Sequence, residues 1–164
     1  MQPLTRTTRF AALIGGAVLV AATATPADAG PRPAIDLRGA DVGSFAIDDA
    51  GAARLAGRVT GAPFGGTYTA VLAADDGVLP APGECEPATA TLEVLGPKKK
   101  RFLRLAASGD VCGTWPDEAY VVTHQFTGGY RVICSSARRL RGTDGWMSVI
   151  LATEGRADVE AFDS

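Results

Sequence analysis

The sequence predicts an all-β fold, a single antiparallel sandwich or closed barrel of about nine short strands. Three observations predict it. Apolar and polar residues alternate at period two along many segments, hardly any segment repeats at the helical period, and clusters of turn formers interrupt the alternation every 8 to 12 residues or so.

Residues 53–59 show the pattern plainly, with Leu55 and Val59 on one face and Arg54 and Arg58 on the other. Residues 88–95 set Ala88, Ala90, Leu92 and Val94 against Thr89, Thr91 and Glu93. Each is the period of a half-buried strand. By the same test strands are expected over 44–48, 66–73, 101–107, 120–126, 130–135, 145–152 and 157–162. The punctuation between them is Asp48-Asp49-Ala50-Gly51, Asp75-Asp76-Gly77, Leu95-Gly96-Pro97, Thr127-Gly128-Gly129, Thr143-Asp144-Gly145 and Thr153-Glu154-Gly155, all rich in residues that accept turn geometry. The Pro- and Gly-rich stretch 78–87 is the longest expected loop.

Ahead of these elements, residues 1–29 read as a secretory signal. Arg6 and Arg9 give a positive start, 10–22 an apolar run too short to span a bilayer, and Ala27-Asp28-Ala29 a small-x-small cleavage site. With no arginine pair before the run and no cysteine at the cut, neither twin-arginine export nor a lipid anchor is expected. The expectation is a secreted protein with a flexible leader over 30–37, carrying Pro31 and Pro33, and one β domain over 38–164. Removing Arg6, Arg9 and Asp28 takes the net charge from −2 to about −3. Nucleic-acid binders usually carry a basic excess, so no nucleic-acid partner is expected, and no membrane association after cleavage.

Three cysteines outside the cytoplasm imply one bridge and one thiol left over. Cys85 and Cys112 both stand beside glycine in loop-like settings, where the backbone adjusts most readily to disulfide geometry, so they are paired here. Cys134 falls in an alternating run with Tyr130 and Val132. Reading Thr127-Gly128-Gly129 as a hairpin loop places Phe126, His124 and Val122 opposite Tyr130, Val132 and Cys134 on one apolar face, which makes Cys134 a free buried thiol.

That register also brings His124 near Cys134, the pairing of a base and a nucleophile if a cleft exposed it. Apolar neighbours argue for an inert thiol and a hydrogen-bonded histidine instead. With one histidine and no Cys-x-x-Cys, no metal or cofactor site is expected, and Asp48-Asp49 and Asp75-Asp76-Gly77 lack the spacing of a calcium loop. Glu84, Glu86, Asp110 and Asp117 read as solvated loop charges. Two basic clusters, Lys98-Lys99-Lys100-Arg101 and Arg138-Arg139 with Arg141, read either as charged tips guarding a sheet edge or as a patch for an anionic polymer. The second reading requires both clusters on one side of the molecule. Trp115, before Pro116, is the aromatic expected in a loop, either packed over the bridge or free to touch a ligand.

The chain from Cys112-Gly113 through YVVTHQFTGGYRV to RRLRGTDGWMSVIL and GRADVEAF resembles small exported proteins of unknown function from high-GC Gram-positive bacteria. The resemblance covers about the last two thirds of the expected mature chain. It implies a β fold and carries no catalytic residue across. The functional expectation is a secreted, non-catalytic domain that binds a cell-envelope glycan or another secreted protein through the loops around Cys85, Cys112 and Trp115. The alternatives are a small hydrolase using His124 and a hollow barrel enclosing an apolar ligand.

Overall fold

Alternation becomes nine strands: β1 (Asp36–Gly39), β2 (Gly43–Ile47), β3 (Ala53–Ala62), β4 (Gly66–Ala74), β5 (Cys85–Leu95), β6 (Phe102–Gly113), β7 (Val122–Ser135), β8 (Asp144–Ala152) and β9 (Arg156–Asp163). They belong to a computed structural model that describes residues 35–40, 43–97, 100–115 and 122–163, so the expected export signal over 1–29 lies outside the described residues. From β3 to β9 each strand pairs antiparallel with the next in sequence. Both β1 and β2 then pair antiparallel with β3 on one side and β9 on the other, which closes the sheet. The result is an eight-stranded antiparallel barrel with one extra strand. Closure answers the expectation's open choice in favour of the barrel, and it removes the free edges that a sandwich would have to protect.

The extra strand arises because β1 and β2 lie end to end in one position. Gly39 faces Val59 and Ser44 faces Ala56, so the chain uses two more residues than β3 does to cover the same distance. The same slip appears against β9, between Leu37↔Ala161 and Gly43↔Ala157. The leader expected over 30–37 is corrected here at its end: Ile35 and Leu37 are fully buried, and β1 starts at Asp36. Their apolar side chains close the seam of the barrel, a role that four residues of weak alternation do not announce.

One strand was expected as two. Residues 120–126 and 130–135 were separated by a presumed hairpin at Thr127-Gly128-Gly129, yet β7 runs unbroken through it and pairs with β6 and β8 on its two sides. Phe126 and Tyr130 therefore sit on the same strand and both point inward, not across a hairpin from each other. Gly128 lies between them because there is no room for anything larger. A Cβ there would come within 2.7 Å of the Phe126 ring and 2.5 Å of the Ser108 carbonyl oxygen.

Glycines beneath aromatic rings recur through the interior. Tyr68 on β4 spans its partner Gly57 and reaches Gly43, where a Cβ would meet its hydroxyl at 2.4 Å; Tyr130 covers its partner Gly145 in the same way, at 2.6 Å. Around these rings stand Leu37, Leu55, Val59, Leu72, Leu92, Val94, Leu103, Leu105, Val111, Met147, Val149, Leu151 and Val159, with alanines at 70, 88, 90, 107, 157 and 161. Inward positions thus alternate large with small, as filling a narrow barrel demands. Each fully buried leucine contributes about 2 kcal/mol of transfer free energy. The inward positions are occupied by side chains, which leaves the reading of a hollow ligand-enclosing barrel without support.

Turn chemistry holds where the chain does reverse. The Asp48 carboxylate accepts the backbone N–H of Ala50 and of Ala52, each at 3.0 Å, and Gly51 follows at φ 81°. Ala52's N–H, with the Arg54 guanidinium behind it, holds the Asp48 carboxyl below its ordinary range.

Candidate functional site

The meander sends the β2–β3, β4–β5, β6–β7 and β8–β9 connections to one rim of the barrel and the β3–β4, β5–β6 and β7–β8 connections to the other. The two rims differ in charge. The first carries Asp48, Asp49, Asp75, Asp76, Glu84, Glu86 and Glu154, and the second Lys100, Arg101, Arg138, Arg139 and Arg141.

At the acidic rim the long β4–β5 connection folds over the barrel mouth. It is stitched down rather than loose: Gly83 N–H donates to the Gly113 carbonyl, Gly113 N–H to that of Glu84, and Glu84 N–H to that of Ala81, at 2.9 to 3.0 Å. Beneath it Cys85 and Cys112 are direct cross-strand partners with their sulfurs 2.07 Å apart, as the sequence pairing expected. They sit on the ends of β5 and β6 rather than in free loops. In the chain-entropy model, closing this 27-residue separation is worth about 3 to 4 kcal/mol.

Against this anchored connection lies a groove of about 680 Å³, with Ile47, Val78, Leu79, Pro80 and Pro82 giving an apolar lining and Thr123 and His124 its polar side. Ile47 and Val78 are 49 % and 64 % exposed, a large fraction for aliphatic side chains at the end of a barrel. Trp115 stands beside the groove and is 76 % exposed. A Cβ on Gly83 would come within 3.3 Å of the indole Nε1, so the ring leans on the loop.

His124 shares the inward parity of Phe126 and so lines this groove, and a bulge at the start of β7 brings Thr123 to it as well. Val122 pairs with Ala152 and His124 with Leu151, so Thr123 is the additional residue and its side chain comes to the same side as its neighbour's. His124 Nε2 lies 3.1 Å from the Pro80 carbonyl oxygen and Nδ1 lies 3.2 Å from Thr123 Oγ1. A carbonyl only accepts, so Nε2 carries the proton and Nδ1 offers its lone pair to the threonine hydroxyl. That hydroxyl also lies 3.2 Å from the Leu151 carbonyl, and its single hydrogen serves one acceptor at a time. Nε2 is thus engaged by Pro80, and Nδ1 is engaged when the hydroxyl turns from the Leu151 carbonyl to it.

The expected His124–Cys134 neighbourhood does not exist. They lie near opposite ends of one strand, ten residues or roughly 33 Å apart. Cys134 is also exposed, contrary to the expectation of a buried thiol. A second bulge is the reason. Leu105 pairs with Val132 and Arg104 with Cys134, so Ile133 is extra and parity inverts beyond it. Ser135 takes the inward place instead; it is fully buried, and its hydroxyl accepts the Ala137 N–H at 3.1 Å. Among the described residues no group of three or more His, Cys, Asp or Glu side chains is placed to hold a metal ion.

At the basic rim the two clusters meet. Lys100, Arg101 and Arg139 line one groove of about 430 Å³ with Phe64 and Ser136, and Arg138 is exposed on the same short 3-10 turn (Arg138–Leu140). Arg141 is turned away to donate to the Ser135 carbonyl at 3.3 Å. Lys98 and Lys99 lie outside the described residues. Among the described residues none of Lys100, Arg101, Arg138 and Arg139 is paired with a carboxylate, whereas Arg38, Arg54, Arg104, Arg131 and Arg156 all are. The condition that both clusters share one side is met, by Lys100, Arg101, Arg138 and Arg139.

The sequence reading pointed to Trp115 but missed Ile47, Val78, Leu79 and Thr123. Only the Pro- and Gly-rich composition of 78–87 marked that region, and it marked a loop without saying where the loop lands. No family model matches the chain, and no curated protein or solved structure does either.

Proposed function

We propose that this protein is a secreted, non-catalytic binding barrel that receives an apolar part of its ligand in the groove at the acidic rim. The observation that carries the reading is the groove itself: Ile47 at the end of β2 and Val78 and Pro82 on the β4–β5 connection stay exposed around the part-buried Leu79 and the buried Pro80, and the bridge and three backbone hydrogen bonds hold that connection in place. Concave apolar walls with a few fixed polar groups are the usual form of a small-ligand site, and a rigid wall lowers the ordering cost of binding. His124 and Thr123 supply the polar groups. The reading follows the sequence expectation that the loops around Cys85, Cys112 and Trp115 form the binding surface.

An environment-sensitive apolar dye, anilinonaphthalene sulfonate, tests it. Native protein should enhance the dye's fluorescence, and Ile47→Ser with Val78→Ser, both at exposed positions, should remove most of the enhancement without moving the melting temperature. Trp115→Ala should weaken it less, since the indole stands beside the groove. Full enhancement in the double variant would remove the groove from consideration.

A second reading rests on one contact. Thr123 Oγ1, His124 Nδ1 and the Pro80 carbonyl on Nε2 follow the order of nucleophile, base and orienting group in a hydrolase. Ester hydrolysis that is lost in both His124→Ala and Thr123→Val, at an unchanged melting temperature, would favour it over the binding reading.

A further inference from the structure

The outer wall of the barrel carries a second recess, far from the groove at the mouth. Direct cross-strand pairs set Phe162, Trp146, Gly129, Ser108 and Thr89 in one row over β9, β8, β7, β6 and β5. Trp146 and Phe162 are adjacent and 50 % and 46 % exposed. Between Trp146 and Ser108 the row drops, because Gly129 has no side chain. A Cβ there would find nothing nearer than the Gly145 carbonyl oxygen at 3.9 Å, an ordinary contact that leaves room for a side chain. Its neighbour Gly128 is a glycine from crowding; nothing in the packing requires Gly129 to be one.

The outcome is a trough of about 430 Å³ with an indole for one wall, bounded by Ala106, Ser108, Arg131 and Asp144. Arg131 Nε donates to Asp144 Oδ1 at 2.9 Å, and both side chains remain largely exposed. We propose that this trough is a subsite for one pyranose ring of an uncharged polysaccharide.

Four features single out that occupant. An exposed indole offers a flat apolar face to the C–H face of a sugar ring, and burying the two together releases water from both. Ser108, Arg131 and Asp144 supply, around its edge, the donors and acceptors that ring hydroxyls need. Arg131 and Asp144 neutralise each other, so the site does not select a charged polymer; among the described residues, Lys100, Arg101, Arg138 and Arg139, which pair with no carboxylate, lie at the basic rim instead. A polypeptide adding as a strand has no edge to join, since every strand of the closed barrel is paired on both sides. The proposal is independent of the groove at the acidic rim.

Affinity electrophoresis of the folded chain through gels containing a neutral β-glucan, a mannan or a xylan tests it, with dextran sulfate as the anionic comparison. At least one neutral polymer should retard the protein. Trp146→Ala and Gly129→Leu should each weaken that retardation at least tenfold with an unchanged melting temperature, since one side chain is half exposed and the other would enter the trough without a clash. In a Trp115→Phe background, where Trp146 is the one remaining tryptophan, the retarding polymer should also shift the fluorescence. Absence of retardation by all three neutral polymers overturns the proposal. So does retardation that survives both substitutions, or retardation by dextran sulfate alone that is lost in Lys100→Glu with Arg139→Glu. Dye binding at the acidic rim should be untouched by the Trp146 and Gly129 variants, so the two readings fail separately.

Discussion

Tyr68 shows how a single side chain is committed by the glycines around it. Its ring fills the space above Gly57 and Gly43, and its hydroxyl ends there, buried and without a hydrogen-bond partner. Burial, with the charge of Asp158 adding to it, pushes the phenol up to about 12 from its usual 10.0. Tyr130 is raised as well, by burial first and by Asp163 and Asp144 second. The neutral phenol is the form the fold prefers, so the folded state holds its proton more tightly than the unfolded chain does. The associated stability is fully present below pH 10 or so and is lost as pH rises from there through the folded value near 12. Denaturant midpoints measured from pH 8 upward should therefore be flat and then fall across that window. Tyr68→Phe should fall less steeply and, having lost an unpaired buried hydroxyl, should be no less stable at neutral pH. An identical alkaline slope in the variant would assign the loss to other groups.

At the level of the element, β7 decides most of what differs from the sequence reading. Its middle reads Thr127-Gly128-Gly129, which in isolation is turn composition. Both glycines instead serve side-chain space, one beneath Phe126 and one in the outer wall. Its ends carry bulges at Thr123 and Ile133, and these change which residues point out. The first brings Thr123 beside His124 at the mouth groove; the second turns Cys134 outward beside Arg104, whose guanidinium is bonded to Glu93. Thiol labelling with a maleimide should modify Cys134 in the native protein at a rate within a few fold of that in denaturant. Labelling that appears only on unfolding would place Cys134 inside and remove the second bulge.

Across the whole molecule, two devices keep the barrel closed. One is the seam, where the short β1 and β2 together bridge β3 and β9 and plug the gap with Ile35 and Leu37. The other is the Cys85–Cys112 bridge, which fixes the start of β5 and the mouth connection above it. The β5–β6 ladder beneath it continues through ten further residue pairs, so the barrel does not depend on the bridge to form. Cys85→Ser with Cys112→Ser should keep a β-type circular dichroism spectrum at room temperature and melt about 10 °C lower or more. An unchanged melting temperature would mean the bridge contributes nothing. The same double variant should loosen the mouth and weaken dye binding there, because the connection it anchors forms the groove wall.

Alternation along residues 53–59, 88–95 and 145–152 was sufficient to assign strands, inward faces and an all-β class, because period two is a local property that each segment carries within itself. The Cys85–Cys112 pairing was legible too, since three thiols leave few combinations and only two of them stood beside glycine. What required the folded chain was everything set by neighbours distant in sequence: that the sheet closes on itself through β1, β2 and β9, that β7 runs straight through two glycines, and where its bulges fall. A bulge leaves no mark in composition, because it is defined by the residue across the ladder, and one extra residue reverses every side chain beyond it. Local patterning determined which segments are extended; only the partners chosen in three dimensions decided which side chains of those segments meet water.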